Sequence, residues 1–226
     1  MSGIGIVIVS HSSKIADGVV ELSRQMAPTT TLIAAGGTDD GGIGTSFEKI
    51  AAGIEAADSG KGAVILCDLG SAILTAETAV DFLDDVQKGR VVIVDAPVVE
   101  GAVAAAVAAE TGGTLEQVVA AARTATGVAD AHADEVDLRR TDTIERSATL
   151  VNPSGLHARP AADLVKHAST FDASVMLNGV DAKSLLRIMG LGLAQGSTVN
   201  LVASGPDATA AVDALIGLIE GGFGEV

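Results

Sequence analysis

Four side chains in this 226-residue chain suit group transfer near neutral pH, the histidines His11, His132, His157 and His167. His11 follows directly on the apolar run GIGIVIVS and precedes SSKIADGV, which reads as a helix start. In an open parallel sheet, ligands bind beyond the carboxyl ends of the strands, where strand order reverses. Asp68 ends another apolar run, in CDLGSA, and Ser71 is a candidate cap for the helix that follows. A carboxylate that accepts one ring N–H fixes the tautomer and leaves the other nitrogen as nucleophile or base. On the residues alone, a satisfied histidine at a strand end is an equal alternative. His157 stands in NPSGLHARPAADLV. Gly155 permits a bend, Pro160 marks a first helical turn, and the apolar period begins just after. His157 therefore sits at a helix N-terminus, where unpaired N–H groups and the dipole favour an anion, with the Arg159 cation two residues on. A phosphoryl group on this imidazole would be stabilised by both. His132 reads as a solvated bystander, and His167 as a helix C-terminal residue with no chemistry.

The remaining motifs exclude more than they assign. The loop GGTDDGGIGTS lets backbone N–H groups approach an anion, but Phe47 stands where a dinucleotide fingerprint needs its third glycine. SGKG is not a P-loop, because Gly62 replaces the Mg²⁺-binding hydroxyl and Glu55 the first glycine. There is no nucleophile elbow and no His/Cys metal spacing, so neither a metal nor a cofactor is expected. Fourteen Lys plus Arg against 29 Asp plus Glu leave a net charge of −15, which argues against nucleic acid or anionic membrane as a partner. Aromatics are 2% of the chain, so stacking platforms are excluded as well. Cys67 is the single cysteine, consistent with a reducing compartment. The apolar run 102–109 is too short to span a bilayer, and the N-terminus lacks a signal peptide's basic region, so a cytoplasmic location is expected.

The elements that must position these residues follow from periodicity. Apolar runs 4–9, 31–35, 63–67 and 91–95 read as strands buried on both faces, alternating with helices over 14–26, 45–57, 71–86, 98–110 and 115–124. That alternation predicts an α/β open parallel sheet over residues 1–126. Residues 127–146 are dense in charge and lack an apolar stripe, so they read as a linker. A random coil of about 20 residues spans roughly 25 Å. Beyond it, strands at 147–151, 174–177 and 198–203 and helices at 160–169, 184–191 and from 207 predict a second, α+β domain over 147–226. Charge divides unevenly, with −10 in the first 130 residues and −3 in the last 80.

GLHARPA at 155–161 resembles the active-site motif of HPr, the phosphocarrier of the bacterial phosphoenolpyruvate-dependent phosphotransferase system. The likeness runs over 147–222 and implies an open-faced antiparallel sandwich that accepts a phosphoryl group from Enzyme I on His157, assisted by Arg159. IVIVSHSSKIADGV, the GIGT loop, CDLGSAILTAETA and APVVEGAVAAA resemble a branch of the mannose-type IIA domains. That branch is the phosphotransferase subunit of phosphoenolpyruvate-dependent dihydroxyacetone kinases. The resemblance implies phosphohistidines at His11 and His157 (tele and pros), with Asp68 bonded to His11 and Gly37, Thr38 and Ser154 lining phosphate pockets. It implies as partners Enzyme I, the ADP-binding and dihydroxyacetone-binding kinase subunits, and a second copy in a homodimer. Ser184 matches the regulatory serine of some HPr proteins, which in others is a helix cap. The short helix after it is expected to present Leu185, Leu186 and Met189 as an apolar docking patch. Larger relatives continue into an Enzyme I-like segment, which this chain lacks, so a separate Enzyme I is expected to supply the phosphoryl group. A IIA–HPr fusion serving a sugar permease and a phosphohistidine regulator of transcription are the alternatives.

Overall fold

The computed structural model describes residues 3–126 and 143–225. The chain divides into two compact units, 1–128 and 129–226, each taken by itself below.

In the first unit, alternate residues of each β-branched run face opposite sides, and both sides are covered. Strands β1 (Gly5–Ser10), β2 (Leu32–Gly36), β3 (Ala63–Cys67) and β4 (Val91–Val94) form a parallel sheet in the order β2-β1-β3-β4. Ile6, Ile8, Val64 and Leu66 pack on one face against α1 (Ser13–Met26), α5 (Val98–Glu110) and α6 (Leu115–Arg123). Val7, Val9 and Ile65 pack on the other against α2 (Phe47–Ala57) and α3 (Gly70–Asp81). Alanines 102, 105 and 106 on α5 are fully buried and let that helix lie close to the sheet. A reciprocal capping box between Thr114 and Gln117 starts α6, a device worth about 1 kcal/mol.

The helix expected over 71–86 is broken. It ends at Asp81, and Asp84 starts the separate α4 (Asp85–Lys88) by accepting a hydrogen bond from the Gln87 N–H at 2.8 Å. An aspartate prefers this cap to a helix interior, because its side chain competes for backbone donors. The chain leaves β1 for β2 on one side and returns to β3 on the other, so strand order reverses between β1 and β3. Their register pairs Val9 with Cys67, which brings residues 10 and 11 beside Asp68.

The second unit is an antiparallel sheet of β5 (Thr143–Thr149), β6 (Ser174–Leu177), β7 (Val180–Asp181) and β8 (Thr198–Ser204), in the order β5-β8-β6-β7. Val175, Leu177, Val199, Leu201 and Ala203 are buried, whereas Ser174, Thr198 and Asn200 between them are exposed, so the sheet has one covered face. The covering helices are α7 (Ala158–Ser169), α8 (Leu185–Gly190) and α9 (Ala208–Glu220). The expected linker at 127–146 lies outside the described residues up to 142. Its last four residues are instead the start of β5, paired from Thr143↔Ser204 onward. Charge hid this strand: β5 is an edge, with Glu145 on its solvated face, and Arg146 on the face of Ala148 stays exposed and pairs with Asp213 of α9 at 2.9 Å.

Candidate functional site

Both histidines singled out by sequence occupy element ends. At His11 the site is assembled where β1 and β3 stop. The Asp68 carboxylate accepts four hydrogen bonds: from the His11 backbone N–H (2.9 Å), the His11 Nδ1–H (2.9 Å), the Ser10 hydroxyl (2.8 Å) and the Leu69 N–H (2.8 Å). Burial opposes ionisation of Asp68, but the bonds from the His11 backbone, the His11 ring and Ser10 outweigh it and hold the carboxyl below its ordinary value. An ionised carboxylate only accepts, so Nδ1 carries the ring proton and Nε2 the lone pair. The Ser71 hydroxyl donates to that Nε2 at 2.6 Å.

Ser71 is therefore not the helix cap expected from sequence. Leu69 holds the cap position of α3 without a side-chain bond, and Ser71, in the first turn, faces the histidine instead. The N–H groups at the start of α3 are left without intrahelical partners at the same spot. Ser10, fully buried, also accepts from the Ser12 N–H at 3.1 Å and braces the turn.

The glycine-rich loop closes onto this corner through Gly44, whose N–H donates to the His11 carbonyl at 2.9 Å. Gly36 at the end of β2 must be glycine, because a Cβ there would lie 2.7 Å from the Ser12 carbonyl. The Gly37 N–H donates to the Ser10 carbonyl at 3.0 Å, while the Thr38 hydroxyl donates to the Asp40 carboxylate. The Lys49 ammonium ties the loop by donating to the carbonyls of Gly36 (3.1 Å) and Thr38 (2.8 Å). Cys67 is buried beside the site. Burial, with the charges of Asp68 and Glu77, pushes its thiol up to about 12, which makes it inert.

His157 holds the cap position of α7, with its backbone extended and no side-chain capping bond. Pro160 falls in the first turn, where its missing N–H costs nothing. Gly155 has φ +65°, and a Cβ there would sit 2.3 Å from the Leu193 carbonyl, so the bend before His157 requires glycine. The ring Nε2 lies 3.1 and 3.3 Å from the two Glu225 carboxylate oxygens. Buried Asn152 donates from Nδ2 to the Gly155 carbonyl and, at 3.2 Å, to Glu225. Arg159 is exposed on the first turn of α7 and has no hydrogen bond or ion pair among the described residues; Ser154 is exposed in the preceding loop.

Sequence reasoning missed Glu225 and Asn152. Glu225 is separated from His157 by 68 residues and belongs to no motif. The docking patch needs a correction. Leu185 is 4% exposed and faces the core with Ile188, because the first turn of α8 buries one residue in three; Leu186 is half-buried and Met189 alone is exposed, at 36%. Ser184 precedes α8 without capping it, and its hydroxyl is buried without a partner. His167 bonds through Nδ1 to the Asp163 carbonyl one turn back, a local role only.

Two family models match. "PTS system fructose IIA component" covers residues 5–119, and "PTS HPr component phosphorylation site" covers 144–221. The PEP-dependent dihydroxyacetone kinase phosphoryl donor subunit DhaM of Providencia stuartii is 36% identical over 98% of this chain. The chain belongs to the DhaM family. A shorter DhaM, that of the PEP-dependent dihydroxyacetone kinase 2 of Listeria innocua, is 47% identical over 46% of this chain and 84% of its own length. A crystal structure of EF1359, described as a protein of unknown function, superposes with a TM-score of 0.51 and 43% identity, covering 54% of this chain and 94% of its own. The chain spans about half the length of its full-coverage DhaM relatives. Both fold expectations, the parallel IIA-like unit and the antiparallel HPr-like unit, hold. No helix among the described residues is long and apolar enough to cross a membrane.

Proposed function

We propose that this chain relays phosphoryl groups within the phosphotransferase system. Phospho-Enzyme I would load His157, His157 would load His11, and His11 would deliver to ADP on the nucleotide-binding subunit of a dihydroxyacetone kinase. The observation that supports it best is the His11 corner. Asp68 holds the Nδ1 proton, Nε2 is left nucleophilic, and the start of α3 lies beside it.

At His11, Nε2 attacks phosphorus as the bond to the donor nitrogen breaks, so the tele position is loaded. Asp68 faces the positive charge the ring acquires, as the buried aspartate of a serine-protease triad does. Ser71, which donates to Nε2 at rest, is placed to donate to a phosphoryl oxygen once that nitrogen is occupied. The unpaired N–H groups of α3 add further stabilisation of the anion. Gly37 and Thr38 belong to the wall of this pocket by resemblance, as Ser154 does at His157. At His157 the start of α7 and Arg159, which has no partner among the described residues, play the anion-stabilising part. Both steps rest on positioning and electrostatics, which suffice for phosphoryl transfer.

The test is incubation with Enzyme I and labelled phosphoenolpyruvate, expected to place two phosphoryl groups on each chain. Adding the ADP-loaded kinase subunit should then remove the label from His11. Retention of that label would favour a sugar-permease IIA–HPr fusion or a regulator, and absence of label would overturn the relay.

A further inference from the structure

We propose that Ser10 is a positioning residue for the chemistry at His11: its hydroxyl keeps the proton shared between His11 and Asp68 on the ring Nδ1, so that the phosphorylated ring departs as neutral imidazole. The inference rests on the relay reading of His11 and goes beyond it, since that reading uses only His11, Asp68, Ser71 and the start of α3.

Three observations carry it. The first is a break in pattern. β1 is apolar up to Val9 and buried along its whole length, yet it ends in a serine that is 0% exposed. A hydroxyl withdrawn from water costs free energy unless it is hydrogen-bonded. The second is how this hydroxyl is satisfied. Ser10 Oγ accepts the Ser12 N–H at 3.1 Å, across the turn that carries His11, and lies 2.8 Å from Asp68 Oδ2. An ionised carboxylate only accepts, so the serine proton points at Asp68.

The third observation is the division of labour on the carboxylate. Oδ1 takes the ring Nδ1–H and the Leu69 N–H, whereas Oδ2 takes the His11 N–H and the Ser10 hydroxyl. The two main-chain donors, one on each oxygen, fix where the carboxylate lies. Ser10 therefore adds little to its placement and acts on its charge, through the oxygen that does not face the ring. Burial opposes ionisation of Asp68, and the bonds from the His11 backbone, the His11 ring and Ser10 outweigh it. Of the four donors, Ser10 is the one that a single substitution removes without touching the ring or the main chain.

The place of the proton decides the leaving group. On delivery the Nε2–P bond breaks, its electron pair returns to Nε2, and a lone pair of the acceptor forms the new bond to phosphorus. With the proton on Nδ1 throughout, the ring passes from cation to neutral imidazole. With the proton on Asp68, the same step would expel an imidazolate anion, a far poorer leaving group. Ser10 bonds the charged form of Asp68 and so lowers its affinity for that proton. Loading has the opposite demand, because a ring that has yielded its proton to Asp68 is the better nucleophile. The hydroxyl thus favours departure of the phosphoryl group over its arrival.

The test uses the full chain carrying His157→Ala, so that label reports on His11 alone, with Ser10→Ala and Ser10→Thr made in that parent. Each chain is loaded from free HPr with Enzyme I and labelled phosphoenolpyruvate, isolated, and then discharged to an excess of unlabelled HPr. Ser10→Ala should discharge about tenfold more slowly while loading no more slowly than the parent. Its Asp68 carboxyl carbon, followed by NMR in the unphosphorylated chain, should titrate at a higher pH than in the parent. Ser10→Thr, which keeps the hydroxyl, should match the parent in all three measurements. Equal slowing of loading and discharge would mean that the hydroxyl only braces the turn, and would overturn the proposal. So would unchanged discharge, an unchanged carboxyl titration, or a Ser10→Thr chain that behaves as Ser10→Ala does. A parent that takes no label would overturn the relay reading and the leaving-group role with it, while the carboxyl titration would still report whether Ser10 acts on Asp68.

Discussion

The two histidines are built on the same chemical plan with different rigidity. At His11, ring and carboxylate are 20% and 13% exposed, and every partner comes from the ends of β1 and β3 or the start of α3. At His157 the corresponding figures are 41% and 28%, and the carboxylate hangs on a turn after the last helix. The strand ends lock the first pair, since the Asp68 N–H donates to the Val9 carbonyl at 3.2 Å and its carboxylate accepts from the backbone N–H groups of His11 and Leu69. The second pair is joined through side chains and more screened by solvent, so its electrostatic worth is smaller. The more exposed histidine is the one that, on the relay reading, must meet Enzyme I and then the His11-bearing unit.

Removing either imidazole tests the comparison most severely. His157→Ala should leave the whole chain unlabelled by Enzyme I unless free HPr is added, whereas His11→Ala should keep the label on His157 and lose all delivery to the kinase subunit. Normal kinase flux through His11→Ala would end the relay reading.

Next comes Asp68→Asn, which should slow transfer through His11 by about a hundredfold or more, well beyond the effect of Glu225→Gln at His157. Asp68 accepts four bonds, and an asparagine would turn an NH₂ toward some of those donors, so stability should fall as well. The pH dependence has a definite sign. The folded carboxyl sits below its ordinary value of about 3.9, so its contribution is complete above that pH and is lost as pH falls through the lower folded value. The gap in Tm between the parent and Asp68→Asn should therefore narrow on acidification. A gap that widened in acid would show that the carboxylate is not the stabilising form.

Gly155→Ala combines a positive φ with a backbone clash and should cost the second unit about 2–4 kcal/mol in urea unfolding. Gly70→Ala, where a Cβ meets nothing, should be close to neutral in the first unit. Equal effects would mean the bend before His157 is not fixed by Leu193.

The docking face gives a smaller, purely kinetic effect. Met189→Glu should slow both loading and unloading of His157 by a few-fold at unchanged Tm, because a charge there meets a partner rather than the core. Leu185→Glu should unfold the unit instead. The least change is expected at Cys67, whose thiol reagents should react only as fast as the first unit opens.

The strand-end position of His11 and the helix-start position of His157 were legible in the chain, because they depend on local grammar. An apolar run that stops at SHSS, and a Gly–x–His followed by Pro, describe the ends of elements without knowledge of what lies across from them. The pairing of His11 with Asp68 was half legible, since a reversal of strand order between β1 and β3 is a rule of open sheets. Ser71 reads as a cap and not as a partner of His11, because sequence cannot show which way a first-turn hydroxyl turns. Leu185 reads as a surface residue because a six-residue helix carries too few periods to show its buried side. The first four residues of β5 read as linker because an edge strand with one wet face has the composition of one. Asn152, Glu225 and the left-handed turn of Gly222, Phe223 and Gly224 lay wholly beyond reach. Their chemistry exists only once α9 has packed on β5 and β8 and brought residue 225 back to residue 157, and a contact across 68 residues has no period for a sequence to display.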